Sequence, residues 1–363
     1  MTTMALSPTF DRRALLRRLL QLGVPLGATA AALIIGLLMI AISGRSVPDA
    51  VDAFLDGAFG SAFAIGASIN RAVALALVGL GFILAFRANL TNVGGEGQIA
   101  MGGIAATAVA LHGGVAGLPL GLAVLQPMLA GCVAGAVWGG AAGLLKVRFG
   151  TNEVISTLLL GFIALLLVYW SVQSENLLRQ PRTSSATLPE SLPIPDATQL
   201  PPLTPFEESP MHIGLAICAA AAIFTAILLR RSTYGLKLRA VGLNELAARR
   251  AGMPCDLLLI SALAMAGAFG GLAGAIMIQG EQYYLKAGFS SGYGFDGLVV
   301  GLLSRGSAIG VLAGALFFGF LRSGGISMEI MAQVPAALTL VIQGLIVIAV
   351  AGSAILLEKL ETR

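Results

Sequence analysis

Long apolar runs recur from one end of the chain to the other. They cover Leu22–Ile42, Ala62–Phe86, Leu120–Leu145, Val154–Trp170, Ile213–Leu229, Leu257–Ile278 and Ala336–Ala351. Shorter ones lie at Ile99–Leu111, Gly297–Leu303 and Ile309–Leu321. A helix that crosses a bilayer needs about 20 mostly apolar residues, so the long runs predict transmembrane helices. The short runs predict broken, tilted or re-entrant helices, which persist in a membrane only where protein or a water-filled cavity covers their backbone. The pattern gives an all-α polytopic membrane protein of about ten transmembrane helices. Counting the two short C-terminal runs as one broken helix gives nine.

Charge orients the runs. Arg12, Arg13, Arg17 and Arg18 precede the first one. That run is longer than a signal-peptide core, and no small-residue cleavage site ends it, so it reads as a retained helix with its basic end in the cytoplasm. Asp49, Asp52 and Asp56 against Arg45 mark an outside loop. Lys146 and Arg148 follow the fourth run, and Arg230, Arg231, Lys237, Arg239, Arg249 and Arg250 follow the sixth. Both positions are cytoplasmic on a count of ten.

Two loops interrupt the pattern within what reads as a single membrane domain, 1–363. Residues 173–210 are rich in Pro, Ser and Thr and carry five acids against two arginines. This predicts an extracytoplasmic loop, either a plain connector or a docking cap. Residues 230–254 are basic and cytoplasmic. Within them Asn244 predicts an N-cap and Gly252 followed by Pro254 a stop, giving a short helix of two or three turns.

Composition excludes other classes. With 57% hydrophobic and 11% charged residues, a water-soluble fold could not hide its apolar surface. The net charge of +4, scattered among apolar runs, gives no nucleic-acid surface. Cys132, Cys218 and Cys255 are too few and too far apart for a disulfide framework or a metal pair. His112 and His212 have no neighbouring Cys or carboxylate, and neither H-E-x-x-H nor G-x-S-x-G occurs, so no catalytic or metal set is expected.

The most polar stretch between apolar runs is Arg87–Gln98, with Asn89, Thr91, Asn92, Glu96 and Gln98 among three glycines. No G-K-[ST] follows it and no strand precedes it, so it is not a nucleotide-binding loop. It is either a solvated turn or, if it lies at membrane depth, part of a pathway. Thr151-Asn152-Glu153, before the fifth run, reads equally as a helix cap or as a functional cluster.

These stretches carry a resemblance. F-R-A-N-L-T-N-V-G-G-E-G-Q (Phe86–Gln98), G-T-N-E-V-I-S-T-L (Gly150–Leu158), L-R-A-V-G-L-N-E-L-A-A-R-R-A-G-M (Leu238–Met253), G-F-D-G-L-V-V-G-L-L (Gly294–Leu303) and P-A-A-L-T-L-V-I-Q-G-L (Pro335–Leu345) resemble the permease subunit of ATP-binding-cassette importers. The branch is that of the ribose-type and branched-chain amino acid permeases, and the resemblance is nearest to sugar and nucleoside permeases that work with a basic membrane lipoprotein receptor. It implies a permease, not an enzyme, moving a nucleoside or simple sugar across a bacterial cytoplasmic membrane. It also implies three partners: a cytoplasmic ATPase that uses the ATP, a second permease (identical or paralogous) and an extracytoplasmic solute-binding lipoprotein. No cofactor is implied for this chain itself. Gly242, Asn244, Glu245, Ala247, Ala248, Arg249 and Gly252 would form the ATPase-coupling helix, although the chain lacks the E-A-A-x-x-x-G common there. Asn89, Asn92, Glu96 and Gln98 would lie near the solute path. The rivals are a secondary active transporter, which would need intramembrane carboxylates for ion coupling, and a membrane-embedded enzyme.

Overall fold

The computed structural model describes residues 12–183, 188–203 and 208–361. All ten apolar runs are helical, and the described residues hold helices and isolated β-bridges but no strand. In chain order the helices are α1 (Arg12–Ile42), α2 (Val47–Phe59), α3 (Ala62–Arg87), α4 (Gly95–His112), α5 (Leu120–Phe149), α6 (Glu153–Gln173), α7 (Gly214–Arg231), α8 (Thr233–Leu243), α9 (Glu245–Arg250), α10 (Cys255–Met277), α11 (Tyr293–Leu303), α12 (Ala308–Met331) and α13 (Ala336–Glu361). Among the described residues, six of them, α3, α5, α6, α7, α10 and α12, are long and apolar enough to cross a membrane. The run at Ile309–Leu321 is therefore not a short helix: α12 extends to 24 residues, because Arg322, Ser323 and the glycines beyond continue the turn. Helix α11 is short, at 11 residues.

The chain groups into two compact units. In one, residues up to Gly57 and from Gly324 onward, α1 packs on α13, and Gly36 admits the Ile342 side chain against the α1 backbone. Arg45 donates a hydrogen bond to Gln333 there at 3.1 Å. The outside loop expected at Asp49–Asp56 is the helix α2, whose first turn holds Asp49 where the macrodipole favours an acid.

The other unit, Ala58–Ser323, holds α3 to α11 and most of α12. Its axis is α3, buried along nearly its whole length because it is apolar on every face. The tightest seam joins α5 to α10. Gly131, Gly135, Gly139 and Gly143 recur every fourth residue on α5, placing them on one face. The first three meet Gly267 and Gly271 and the fourth meets Ile260, so closely that a Cβ at Gly135, Gly267 or Gly271 would run into a backbone carbonyl across the seam. Between membrane helices there is little hydrophobic drive, so backbone approach of this kind supplies the packing energy.

Residues 173–210 form an ordered cap where they are described; 184–187 and 204–207 lie outside the described residues. Ser191, Ile194 and Leu200 donate backbone hydrogen bonds to the carbonyls of Leu285, Tyr283 and Gln279, at 2.8–2.9 Å. The cap is thus laced onto the π-helical turn Ile278–Gln282 that ends α10. Gln279, fully buried, donates to Thr198 and Val124 and ties the cap to α5.

His212 sits beneath this cap, 2% exposed, with Nδ1 accepting from the Gly214 N–H at 3.1 Å. Burial pushes its pKa down to about 4. An unfolded histidine titrates near 6.5, so the neutral ring contributes stability that is full above about pH 6.5 and is lost as the pH falls toward 4. Between pH 6.5 and 5 the loss is about 2 kcal/mol. Limited proteolysis should therefore cut the cap faster at pH 5 than at pH 7.5, and His212→Gln should abolish that difference.

Candidate functional site

The polar stretch 87–98 does not form a surface turn. After α3 ends at Arg87, Asn89 takes a left-handed conformation (φ 58°), which Asn tolerates better than most residues, and the chain turns back along the bundle. Gly95, the first residue of α4, packs against Val78. Val78 lies nine residues before the end of α3, roughly 13 Å up the helix. Helix α4 therefore begins inside the bundle, about a third of the way along α3 from its C-terminal end.

The four polar residues expected near a path are placed as follows. Asn92 and Gln98 exchange side-chain amide hydrogen bonds at 3.0 and 3.2 Å, and Asn92 also accepts from the Gly94 N–H. Both are buried. Asn89 is exposed at the turn. Glu96 is 5% exposed and reaches across to the segment before α11. Its Oε1 accepts from Ser290 Oγ at 2.6 Å and from the Gly292 N–H at 2.9 Å, while Oε2 accepts from the Gly294 N–H at 2.7 Å. One carboxylate thus satisfies the free N–H groups at the start of α11 and joins two helix N-termini inside the bundle. Thr151-Asn152-Glu153 is a cap: Asn152 accepts from Val154 and Ile155, and Glu153 pairs with Lys146 at 2.7 Å.

A second cluster lies on the cap side of that junction. Arg71 on α3 donates to Ser323 Oγ at 2.7 Å. Arg322 on α12 pairs with Asp296 of α11 at 2.6 Å, donates to the Ser291 carbonyl and lies 4.0 Å over the Tyr293 ring. Glu281, in the π-helical turn after α10, interacts electrostatically with both arginines, yet has no hydrogen bond or ion pair among the described residues. Arg71 and Arg322 each lie nine residues from the α3 start and the α12 end, roughly 13 Å inside. Charges at such depth are costly and are kept facing a bundle interior or an aqueous path. Sequence reading missed this cluster, although Arg71 and Arg322 stand alone inside apolar stretches and could have been marked for that reason.

At the basic loop there are two helices where one was expected. Helix α8 ends at Leu243, and Asn244 caps α9 by accepting from the Ala247 N–H at 2.9 Å. Gly252 follows at φ 78°, a conformation that suits a residue without a Cβ. Gly242 belongs to α8 and packs on the backbone of Arg87 and Ala88. Arg249 binds Glu245 at 2.9 Å and also Asp256, stiffening the joint between α9 and α10. Ala247 is exposed, but Ala248 is buried in a core with Ala85, Leu238 and Leu259 and faces the chain's own interior. The exposed leucines on this element are Leu236, Leu243 and Leu246.

Comparison with known proteins agrees with this architecture. The profile of a family described as the permease component of the branched-chain amino acid transport system matches residues 64–351, and the chain belongs to that family. The glucose ABC transporter permease protein TsgB13 of Haloferax volcanii is 35% identical over 93% of this chain and 89% of its own. The guanosine ABC transporter permease protein NupP of Bacillus subtilis is 34% identical over 93% of this chain and 95% of its own. The nucleoside ABC transporter permease protein NupB of Lactococcus lactis is 32% identical, covering 87% and 88%. No solved structure matches. The chain is therefore a membrane-embedded permease subunit of an ABC importer and not an enzyme.

Proposed function

We propose that this permease moves a nucleoside, with a simple sugar as the second choice, into the cytoplasm across a bacterial cytoplasmic membrane. The observation that carries the reading is the unpaired Glu281 facing Arg71 and Arg322 inside the bundle. The unpaired carboxylate and the two guanidiniums offer acceptors and donors for a neutral solute rich in hydroxyl and amide groups, and they nearly balance in charge with Asp296. Relatives named for guanosine and for nucleosides support the solute class, and one named for glucose supports the alternative. Asn92, Glu96 and Gln98 border the path by holding the inner ends of α4 and α11 in place, and Asn89 lies at the turn that leads into it. A second permease, identical or paralogous, completes the path. A solute-binding lipoprotein docks on the cap at 173–210. A cytoplasmic ATPase hydrolyses the ATP and seats α8 and α9.

The test is uptake of labelled guanosine and glucose by cells that depend on this transporter. Glu281→Gln keeps the shape and removes the charge. It is expected to lower uptake by roughly tenfold at equal membrane abundance, the scale of one charge-assisted hydrogen bond. Wild-type uptake by this variant would remove the cluster from the path.

The docking face gives a separate expectation. Leu246→Asp puts a charge into a contact that should be apolar and should cut co-purification of the ATPase by about tenfold or more. Ala248→Glu, by contrast, should lower the abundance of the permease itself, because it buries a charge in the chain's own core.

A further inference from the structure

A third polar site lies apart from the charge cluster and from the exposed apolar face of α8 and α9. Arg87 at the end of α3, Arg230 near the end of α7 and Arg305 before α12 line one open pocket of about 230 Å³, together with Ala226, Leu229 and Gly306–Ile309. No carboxylate lines it. Among the described residues none of the three guanidiniums has an ion pair or a side-chain hydrogen bond to protein, and Arg87 Nε is buried without any partner. Three guanidiniums brought together without a counter-charge repel one another, and a buried N–H without an acceptor costs free energy. The backbone is shaped for the same charge. Arg305 and Gly306 both have positive φ (50° and 78°), and they lead into the N-terminus of the 24-residue α12, where Ser307 caps the Gly310 N–H and the dipole favours an anion beside Ala308 and Ile309.

We infer that this pocket binds a phosphate group, and that its occupant is the headgroup of an anionic phospholipid. Guanidinium forks match phosphate oxygens in pairs. The choice of a lipid rests on where the pocket opens. It lies at the ends of three helices that are long and apolar enough to cross a membrane. The neighbouring Phe86 and the lining Ile309 are exposed apolar side chains, 44% and 74% exposed, that suit acyl chains beside a headgroup. A soluble phosphate would have no use for them.

The test uses the purified full chain in nanodiscs of mixed phosphatidylcholine and phosphatidylglycerol, released and weighed by native mass spectrometry. Wild type should retain phosphatidylglycerol in excess of its share of the bilayer. Arg230→Gln and Arg305→Gln alter exposed side chains and should leave folding intact. Each should cut that excess by roughly fivefold, and the double variant by more. Arg182→Gln in the cap should change nothing. A parallel arm measures thermal protection in detergent by inorganic phosphate and by short-chain phosphatidylglycerol. Protection by the lipid alone is the expected outcome. Equal protection by both would overturn the lipid assignment in favour of free phosphate. Unchanged lipid retention in the double variant, or loss only of ATPase co-purification, would overturn the site. Because the readout is bound lipid, failure here leaves the uptake result for Glu281→Gln standing, and the reverse also holds.

Discussion

Replacing Gly135 by valine should empty the membrane of this protein. The glycine lies against the Gly267 carbonyl and the Gly271 backbone with no room for a Cβ, and both obstacles are backbone, which cannot rotate away. The helices α5 and α10 would have to part along the whole seam, giving up the contacts of Gly131, Gly139 and Gly143 as well. Overpacking one core site costs about 1–3 kcal/mol. Here the wedge also removes close contacts at the three neighbouring glycines, so the expected loss exceeds that range and approaches the whole of a marginal stability. Membrane abundance measured by immunoblot, and melting of whatever can be purified, check the result. A control at Gly121, where a Cβ would meet nothing within 4 Å, should be silent when changed to alanine. Normal abundance of Gly135→Val would refute the seam.

The second large effect is expected at Glu96. Alanine there strips the acceptors from the Ser290 hydroxyl and from the Gly292 and Gly294 N–H groups at once. Each buried donor left without an acceptor costs about 1–3 kcal/mol, so Glu96→Ala should lose stability first and uptake as a consequence. Glu96→Gln keeps one oxygen and should fall between the two. Unfolding of the purified protein, followed alongside uptake, separates this from direct contact with solute: a variant of unchanged stability that no longer transports would place Glu96 on the solute and not on the frame.

The sequence made some features plain because they are local. Apolar runs mark helices whatever they pack against, and Asn244, Asn152 and Gly252 announce caps through chemistry confined to a few residues. Depth was not legible. A run of polar residues between two apolar stretches reads the same at a surface and inside a bundle, and only the packing of Gly95 on Val78 distinguishes them. The charge cluster was hidden for a related reason. Arg71, Glu281 and Arg322 are spread over three apolar regions, and each looks like an isolated exception until α3, α10 and α12 bring them together. The direction of Ala248 was also beyond reach: α9 is 6 residues long, too short for periodicity to tell the inward face from the outward one. Helix α2 was passed over because three aspartates in 13 residues suggested a loop, whereas Asp49 starts the helix.

The lacing of the cap has a mechanical side. Hydrogen bonds from Ser191, Ile194 and Leu200 run to Leu285, Tyr283 and Gln279, so they bracket Glu281 on the chain that carries it. A load on the cap would therefore pass through stiff amide links to the backbone on either side of Glu281. The cap is a stiff strut to the segment that carries Glu281 as much as a lid over it.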